Sequence, residues 1–470
     1  MTRLRGSGNS PVLGGVDGTD GPSPGSVPSI SDTARPMADD DTRLSRRTLL
    51  AAGSALAGAA MGGNGAQAAP PAPSVPADTG AVQGGKVMFP NWRGSGDRPP
   101  APTPAPQPPG QRVGYCVIGL GRLSLDEILP AFGETKRSRL AAVMSGSPDK
   151  AKLVARQYGL PDDAVYGYDE WDRLKANPDV HAVYVVTPNG VHRDNVLAAA
   201  SAGKQVLCEK PMAVSSQECR DMIAACAKAN VKLMIAYRCQ YEPHNRAVIR
   251  LARTGEFGKP KLIQAFNGQT TGLPEQWRLR KALSGGGSLP DIGLYCLNTT
   301  RAVLGEEPDQ IQAQIHSPPD DPRYREVEET VSFTMRFPSG VIAQCQSSYG
   351  VYEARSLTLH TSNASIDLQN AFAYEGQRLF VGHRDGKNAA RDEKILSRKN
   401  QFALEMDHFS RCIQENLRPH TPGEEGLQDQ VLMEAIYEAA RTGAPVKVGP
   451  PQGAGTGLDV TRGPEPEEAG

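Results

Sequence analysis

The chain has 470 residues, enough for two domains plus tails, and 51 basic against 52 acidic side chains leave a formal net charge of −1, which argues against a nucleic-acid surface. Its eight cysteines (Cys116, Cys208, Cys219, Cys226, Cys239, Cys296, Cys345, Cys412) are scattered, with no C-x-x-C pair and no close His/Cys cluster, so no metal site is expected. The thiols read as mostly buried; Cys219 and Cys226, about 10 Å apart on one predicted helix, are too distant to bridge.

Near the N-terminus, Ser45-Arg46-Arg47-Thr48-Leu49-Leu50 has the twin-arginine form, Leu49 to Met61 is weakly apolar, and Ala66-Gln67-Ala68 offers an A-x-A cleavage site. Residues 1–68 are therefore expected to be an export signal that places the mature protein in the periplasm, with Met37 as an alternative start. A membrane helix needs about 20 apolar residues, and this run is shorter and broken by glycine, so no stable anchor is expected after cleavage. Residues 69–111, rich in proline and alanine, read as an arm in extended polyproline geometry. At the other end, 450–470 is Gly, Pro and Glu with almost nothing apolar, which reads as a disordered tail.

From Val113 onward, short apolar runs alternate with helical periodicity: Val113 to Ile118, Leu140 to Met144, His181 to Val186, Gln205 to Cys208 and Val231 to Ala236. Such runs are buried parallel strands, and with helices between them residues 112–236 form an α/β, doubly wound dinucleotide-binding domain. After about Tyr237 the strands lengthen and alternate: Lys261 to Phe266, Ile311 to His316, Glu329 to Phe337, Val341 to Ser348 and Leu357 to Leu368. Phe337-Pro338-Ser339-Gly340 is a hairpin turn, so 237–449 is predicted to be an α+β domain with a large, mostly antiparallel, open-faced sheet. Two late helices, Gln401 to Glu415 and Leu427 to Thr442, show apolar faces and read as packing elements.

Directly after the first strand comes Gly119-Leu120-Gly121-Arg122-Leu123-Ser124, opening a helix. The first glycine permits the tight turn and the second lets a pyrophosphate approach the helix N-terminus. Ser124 stands where Gly or Ala is usual, and an ordinary strand-to-helix turn is the competing reading. About 20 residues on, where an acid would hold the ribose of NAD, the chain has Ser145-Gly146-Ser147 and then Lys150. With no acid to repel a 2′-phosphate, Arg122 and Lys150 become its cationic partners and Ser145 a hydroxyl donor, so NADP is favoured. Alternatively Ser147 is a helix cap and Lys150 merely exposed.

Three further segments are Thr187-Pro188-Asn189 with His192, Cys208-Glu209-Lys210-Pro211, and Gly285-Gly286-Gly287-Ser288-Leu289-Pro290-Asp291-Ile292-Gly293-Leu294-Tyr295. Together with Ile235-Ala236-Tyr237-Arg238-Cys239 and Gln276-Trp277-Arg278-Leu279-Arg280, they resemble the Gfo/Idh/MocA oxidoreductase family over about residues 112–448. Tyr295, where most members have histidine, is similar to the glucose-fructose oxidoreductase branch. The resemblance implies hydride transfer at a sugar carbon coupled to proton transfer at its oxygen. Lys210 and Tyr295 are the expected catalytic pair, since a phenol with a pKa near 10 needs a neighbouring cation to act near neutrality. Asp291, one turn before Tyr295, is expected to orient substrate hydroxyls. By the same carry-over, a cis peptide precedes Pro211, Tyr168 flanks the adenine end, and His192, Glu209 and Arg238 belong to the nicotinamide pocket. Trp277, Arg278 and Tyr349 then form the cleft mouth, and the segment between Asn267 and Gln276 is short.

Beyond the inner membrane there is no soluble nicotinamide pool, so the expectation is an enzyme with tightly bound NADP that oxidises an aldose and reduces a ketose. A sugar dehydrogenase with exchangeable cofactor and a non-catalytic binding protein are the alternatives; the second would lack Lys210, Asp291 and Tyr295. The open sheet face implies a homo-oligomer, by resemblance a tetramer.

Overall fold

The computed structural model describes residues 108–271, 274–449, 463, 465 and 466, and the backbone of 81–83 and 86–88. The export signal, most of the proline-rich arm and most of the tail lie outside the described residues. The chain divides into two compact units, 1–97 and 98–470. In the first, β1 (Ala81–Gln83) and β2 (Lys86–Met88) pair antiparallel with Val82 opposite Val87. This corrects the reading of the arm as polyproline throughout: two valine-centred triplets separated by Gly84 and Gly85 have hairpin spacing.

The second unit opens with β3 (Val113–Ile118), α1 (Leu129–Ala131), β4 (Ser138–Met144), α2 (Pro148–Gln157), β5 (Val165–Tyr166) and α3 (Trp171–Ala176). It continues with β6 (Ala182–Val185), α4 (His192–Ser201), β7 (Gln205–Glu209), α5 (Ser216–Ala229) and β8 (Leu233–Ala236). These strands form a parallel sheet in the order β5-β4-β3-β6-β7-β8. Every residue of β3 is buried, as a strand covered on both faces requires. The strand order reverses between β3 and β6, which opens a ligand crevice at their carboxyl ends.

The remaining elements are α6 (Pro243–Thr254), β9 (Pro260–Thr270), α7 (Lys281–Ser284), α8 (Leu294–Leu304), β10 (Gln310–His316), β11 (Thr330–Arg336) and β12 (Ile342–Ser348). Then follow β13 (Gly350–Thr361), β14 (Ala364–Gln369), β15 (Arg378–Asp385), β16 (Asn388–Lys394), α9 (Gln401–Gln414), α10 (Gly423–Thr442) and β17 (Val446–Lys447). Their nine-stranded sheet runs β16-β15-β14-β13-β9-β12-β11-β10-β17 and is antiparallel except where β12 meets β9. Ile263, Ala265, Ala343 and Cys345 point into the core, while Leu262, Gln264, Ile342 and Gln344 alternate onto an exposed face.

Three expectations need correction. The strand predicted over Leu357 to Leu368 is two strands, because the Thr361 hydroxyl accepts the main-chain N–H groups of Asn363 and Ala364 and turns the chain. Second, the dinucleotide domain is not closed at residue 236. Phe402, Met406 and Phe409 of α9 join Tyr115, Val117 and Tyr184 in one cluster, and Asp407 accepts the N–H groups of Lys136 and Arg137 at 2.7 and 2.8 Å. Third, the described part of the tail packs: Gly463 N–H donates to Pro419 O, Glu465 pairs with Arg246 at 3.1 Å, and Pro466 is buried.

Candidate active site

Gly119 adopts φ +92°, and a Cβ there would lie 2.7 Å from the Val186 carbonyl oxygen, so the turn after β3 requires glycine. At Gly121 a Cβ would point into open space, leaving the backbone free for close approach by a ligand. The Ser124 hydroxyl is buried and donates to the Gly119 carbonyl, locking the turn from within; this is what the unexpected serine does. A wide helical turn over Ser124–Ile128 follows. Gly119, Leu120, Gly121, Arg122 and Leu123 all line a cleft of about 1190 Å³.

Ser145, Lys150 and Tyr168 line the same cleft, and Tyr168 lies so close over Gly146 that a Cβ would meet its ring at 3.0 Å. Arg122 and Lys150 are exposed and have no ion pair among the described residues. Glycine turn, open backbone and unpaired cations fit a nicotinamide dinucleotide.

Thr187, Pro188 and Asn189 line the cleft next to the turn, with Thr187 Cγ2 3.0 Å from where a Gly119 Cβ would lie. His192 does not line the cleft, which corrects its expected place in the nicotinamide pocket. It is fully buried, with Nε2 2.8 Å from Thr187 O and Nδ1 3.0 Å from Pro211 O, and burial lowers its pKa despite those carbonyls. Its ring ties the Thr187 loop to the Glu-Lys-Pro loop from behind.

The Lys210–Pro211 peptide is cis, and Glu209, Lys210 and Arg238 all line the cleft. Across from them, Gly286 and Gly287 let the chain pass where a Cβ would lie 1.9 Å from Tyr437 Oη and from Glu328 O. The buried Glu328 carboxylate accepts Gly287 and Leu289 N–H at 2.9 and 2.8 Å, fixing the start of the helix that presents Asp291 and Tyr295.

Asp291 is the hub. Tyr349 Oη donates to its Oδ2 at 2.7 Å, Arg278 Nε to the same oxygen at 3.1 Å, and Lys210 Nζ lies 3.5 Å from Oδ1 while donating to the Asp291 carbonyl at 2.6 Å. Burial alone would raise its pKa; Arg278, Lys210 and the Tyr349 hydroxyl outweigh it and hold the carboxyl at about 2. The Arg278 guanidinium stacks on Trp277 at 4.6 Å. Lys210 Nζ sits over the face of Tyr295, 4.5 Å from the ring centre, and the cation bonded to the phenol oxygen is Arg238, whose Nε donates at 3.1 Å. The expectation that Lys210 tunes the phenol is thereby corrected. Burial pushes the Tyr295 pKa up and Arg238 only partly opposes it, so the group is a neutral phenol.

Several site residues escaped the sequence reading. Phe372 stacks on Tyr295 with ring centres 6.0 Å apart. Gln401, on the helix read as packing, accepts from Arg238 Nη1 at 2.6 Å and donates to Tyr374 O at 2.7 Å. One signal was present: Glu405 stands on the apolar face of that helix, between Phe402 and Phe409.

Residues 113–237 match the oxidoreductase family with NAD-binding Rossmann fold of Gfo/Idh/MocA, and residues 245–367 match the Gfo/Idh/MocA C-terminal domain. The chain belongs to the Gfo/Idh/MocA oxidoreductase family. Within it, the chain is 29% identical over 344 residues to a D-xylose 1-dehydrogenase [NADP(+)] of Haloarcula marismortui, covering 72% of this chain and 93% of that protein. It is 32% identical over 315 residues to a trans-1,2-dihydrobenzene-1,2-diol dehydrogenase of Xenopus laevis, covering 65% and 90%. Among solved structures, an aldose-aldose oxidoreductase of Caulobacter crescentus complexed with glycerol is similar with a TM-score of 0.69 and 43% identity, over 72% of this chain and all of that one. As in the family's two-domain plan, the crevice of the Rossmann sheet faces the second domain, which supplies Asp291 and Tyr295.

Proposed function

We propose that this oxidoreductase acts on sugars with tightly bound NADP, oxidising an aldose to its lactone and reducing a ketose such as fructose. The observation that carries the reading is the convergence of Lys210, Arg278 and Tyr349 on the Asp291 carboxylate beside a neutral Tyr295, at the end of the dinucleotide crevice. When bound, NADP supplies the hydride acceptor and donor. Arg122, Lys150 and Ser145 would hold its 2′-phosphate, and the Gly119 turn its pyrophosphate.

Asp291, ionised at all ordinary pH values, accepts hydrogen bonds from sugar hydroxyls and orients the ring. Tyr295 carries a proton at Oη, held in place by Arg238, and gives it to the oxygen of a carbonyl being reduced. In the oxidative direction the phenolate left by that donation takes the hydroxyl proton back, its charge stabilised by the Arg238 guanidinium. Phe372 and Tyr374 wall this side of the cleft.

Export to the periplasm, where no cofactor pool resupplies the enzyme, and a homotetrameric assembly complete the proposal; the twin-arginine motif supports the first and the open sheet face the second. A second reading, an aldose as the acceptor, is favoured by the 43% identity to the aldose-aldose oxidoreductase. Protein freed of loose nucleotide, given C1-deuterated glucose and either fructose or a second aldose, tests both. Deuterium in the polyol without added cofactor is the expected result. A stoichiometric requirement for added NADP would replace the proposal with an ordinary dehydrogenase.

A further inference from the structure

Beneath the cleft floor, Tyr184, Glu209 and Glu405 form a row of three oxygens that the chemistry above leaves unused. The Tyr184 hydroxyl lies 2.8 Å from Glu209 Oε1 and 3.0 Å from Glu405 Oε1, and all three side chains are buried. A phenol has one proton to give, and an ionised carboxylate can only accept. Tyr184 therefore satisfies one carboxylate by donation. Its contact with the other is a hydrogen bond only if that carboxyl brings a proton of its own. With both ionised, one contact would set lone pair against lone pair among side chains buried from bulk solvent, where little screens the repulsion.

The surroundings decide which member is neutral. Burial raises the Glu209 pKa, but Glu209 lines the cleft, its Oε2 accepts the Lys210 main-chain N–H at 3.2 Å, and the charges of Lys210 and Arg238 oppose that rise, with no such pair of neighbouring cations at Glu405 among the described residues. Glu405 lies wholly inside, and its Oε2 has no hydrogen-bond partner among the described residues. A carbonyl oxygen tolerates that isolation far better than half a carboxylate does. We propose that Glu405 is a positioning residue that holds a proton at neutral pH and, through Tyr184, fixes the ionised Glu209 against Lys210. Donation runs from Glu405 to Tyr184 and from Tyr184 to Glu209.

Burial and the nearby Glu209 both push the Glu405 pKa well above the usual carboxylate range, with Tyr184 and Arg238 opposing. The other groups that face the pair are Lys210 and Cys208 beside Glu209, Cys239 next to Arg238, Tyr295 from α8 and Tyr374 from the loop before β15. Loss of the proton to hydroxide yields water and a second carboxylate, leaving one phenol proton for two acceptors. Because the folded chain keeps a proton that the unfolded chain releases, stability from this group is full below the ordinary carboxylate value. It declines as pH rises toward the folded one.

The test uses the full chain without substrate, so its result is separate from any sugar assignment. At pH 7 the infrared spectrum of the parent should show a neutral carboxylic C=O stretch that disappears in E405Q. Denaturant unfolding across pH should show a fall in stability above the carboxylate range in the parent that is lost in E405Q. Y184F, which keeps the ring and removes the bridge, should shift the carboxylic band. A parent spectrum without that band, an unfolding slope unchanged in E405Q, or a band that Y184F leaves in place would each overturn the proposal.

Discussion

Arg238 Nε donates to the Tyr295 hydroxyl at 3.1 Å, while its other nitrogens reach Phe372 O at 2.7 Å and Gln401 Oε1 at 2.6 Å. One buried guanidinium thus joins the catalytic phenol to the loop after β14 and to the start of α9. The phenol's position depends on three stretches of chain distant in sequence.

Tyr295→Phe removes the acid without altering the ring that stacks on Phe372. Turnover should fall by about 100-fold or more with dinucleotide affinity nearly intact. Steady-state kinetics at saturating sugar check this, and a loss under about threefold would take Tyr295 out of the proton-transfer role.

Arg238→Met should cost turnover and stability together, because the Phe372 carbonyl and Gln401 Oε1 lose this donor and the Ala373 carbonyl loses one of three. A loss on the order of 3 kcal/mol in unfolding free energy is expected. Arg238→Lys should recover part of the stability and little of the rate, since an ammonium lacks the planar fork that meets all three partners. Equal recovery of both would show that only the charge matters.

Asp291 gives a pH signature of opposite sign to that of Glu405. Its folded pKa of about 2 lies below the unfolded value, so its contribution is present above about pH 4 and vanishes as pH falls toward 2. A shift of that size corresponds to roughly 2 kcal/mol. Acid unfolding of Asp291→Asn should lack this component, and a parallel pH dependence of parent and variant would refute the ion-pair hub.

Arg122 and Lys150 together should set the preference for NADP over NAD. Charged hydrogen bonds contribute about 1.5–3 kcal/mol each, so replacing both with alanine should largely erase the difference. Titration of cofactor-stripped protein with each dinucleotide measures it; equal binding of the two by the unaltered protein would refute the assignment.

The legible parts of this molecule were those where one residue type has one use. Buried parallel strands show as apolar runs, so β3, β4, β6, β7 and β8 stand out, and the Glu-Lys-Pro and Asp291-to-Tyr295 segments carry their own resemblance. By contrast, β16 went unseen because this edge strand, Asn388–Lys394, is largely polar and charged and has no apolar alternation. Gln401 and Glu405 were hidden by the convention that polar residues on an amphipathic helix face solvent. His192 was misplaced because a motif gives order along the chain and not the direction a ring points. The Arg238–Tyr295 bond spans 57 positions, and no local pattern encodes it.

The packing of α9 on the dinucleotide sheet also bears on how this protein can be divided. The polypeptide leaves the Rossmann sheet at Ala236, builds eight strands of a second sheet, and returns with α9 before leaving again toward α10. A fragment that stops near residue 236 would present Tyr115, Val117 and Tyr184 on a face without its cover. The segment recognisable as a sequence module, residues 113–237, is smaller than the unit that packs as one core. Any chimera that exchanges cofactor halves between relatives must carry α9 across with the first half, although some 160 residues separate the two in the chain.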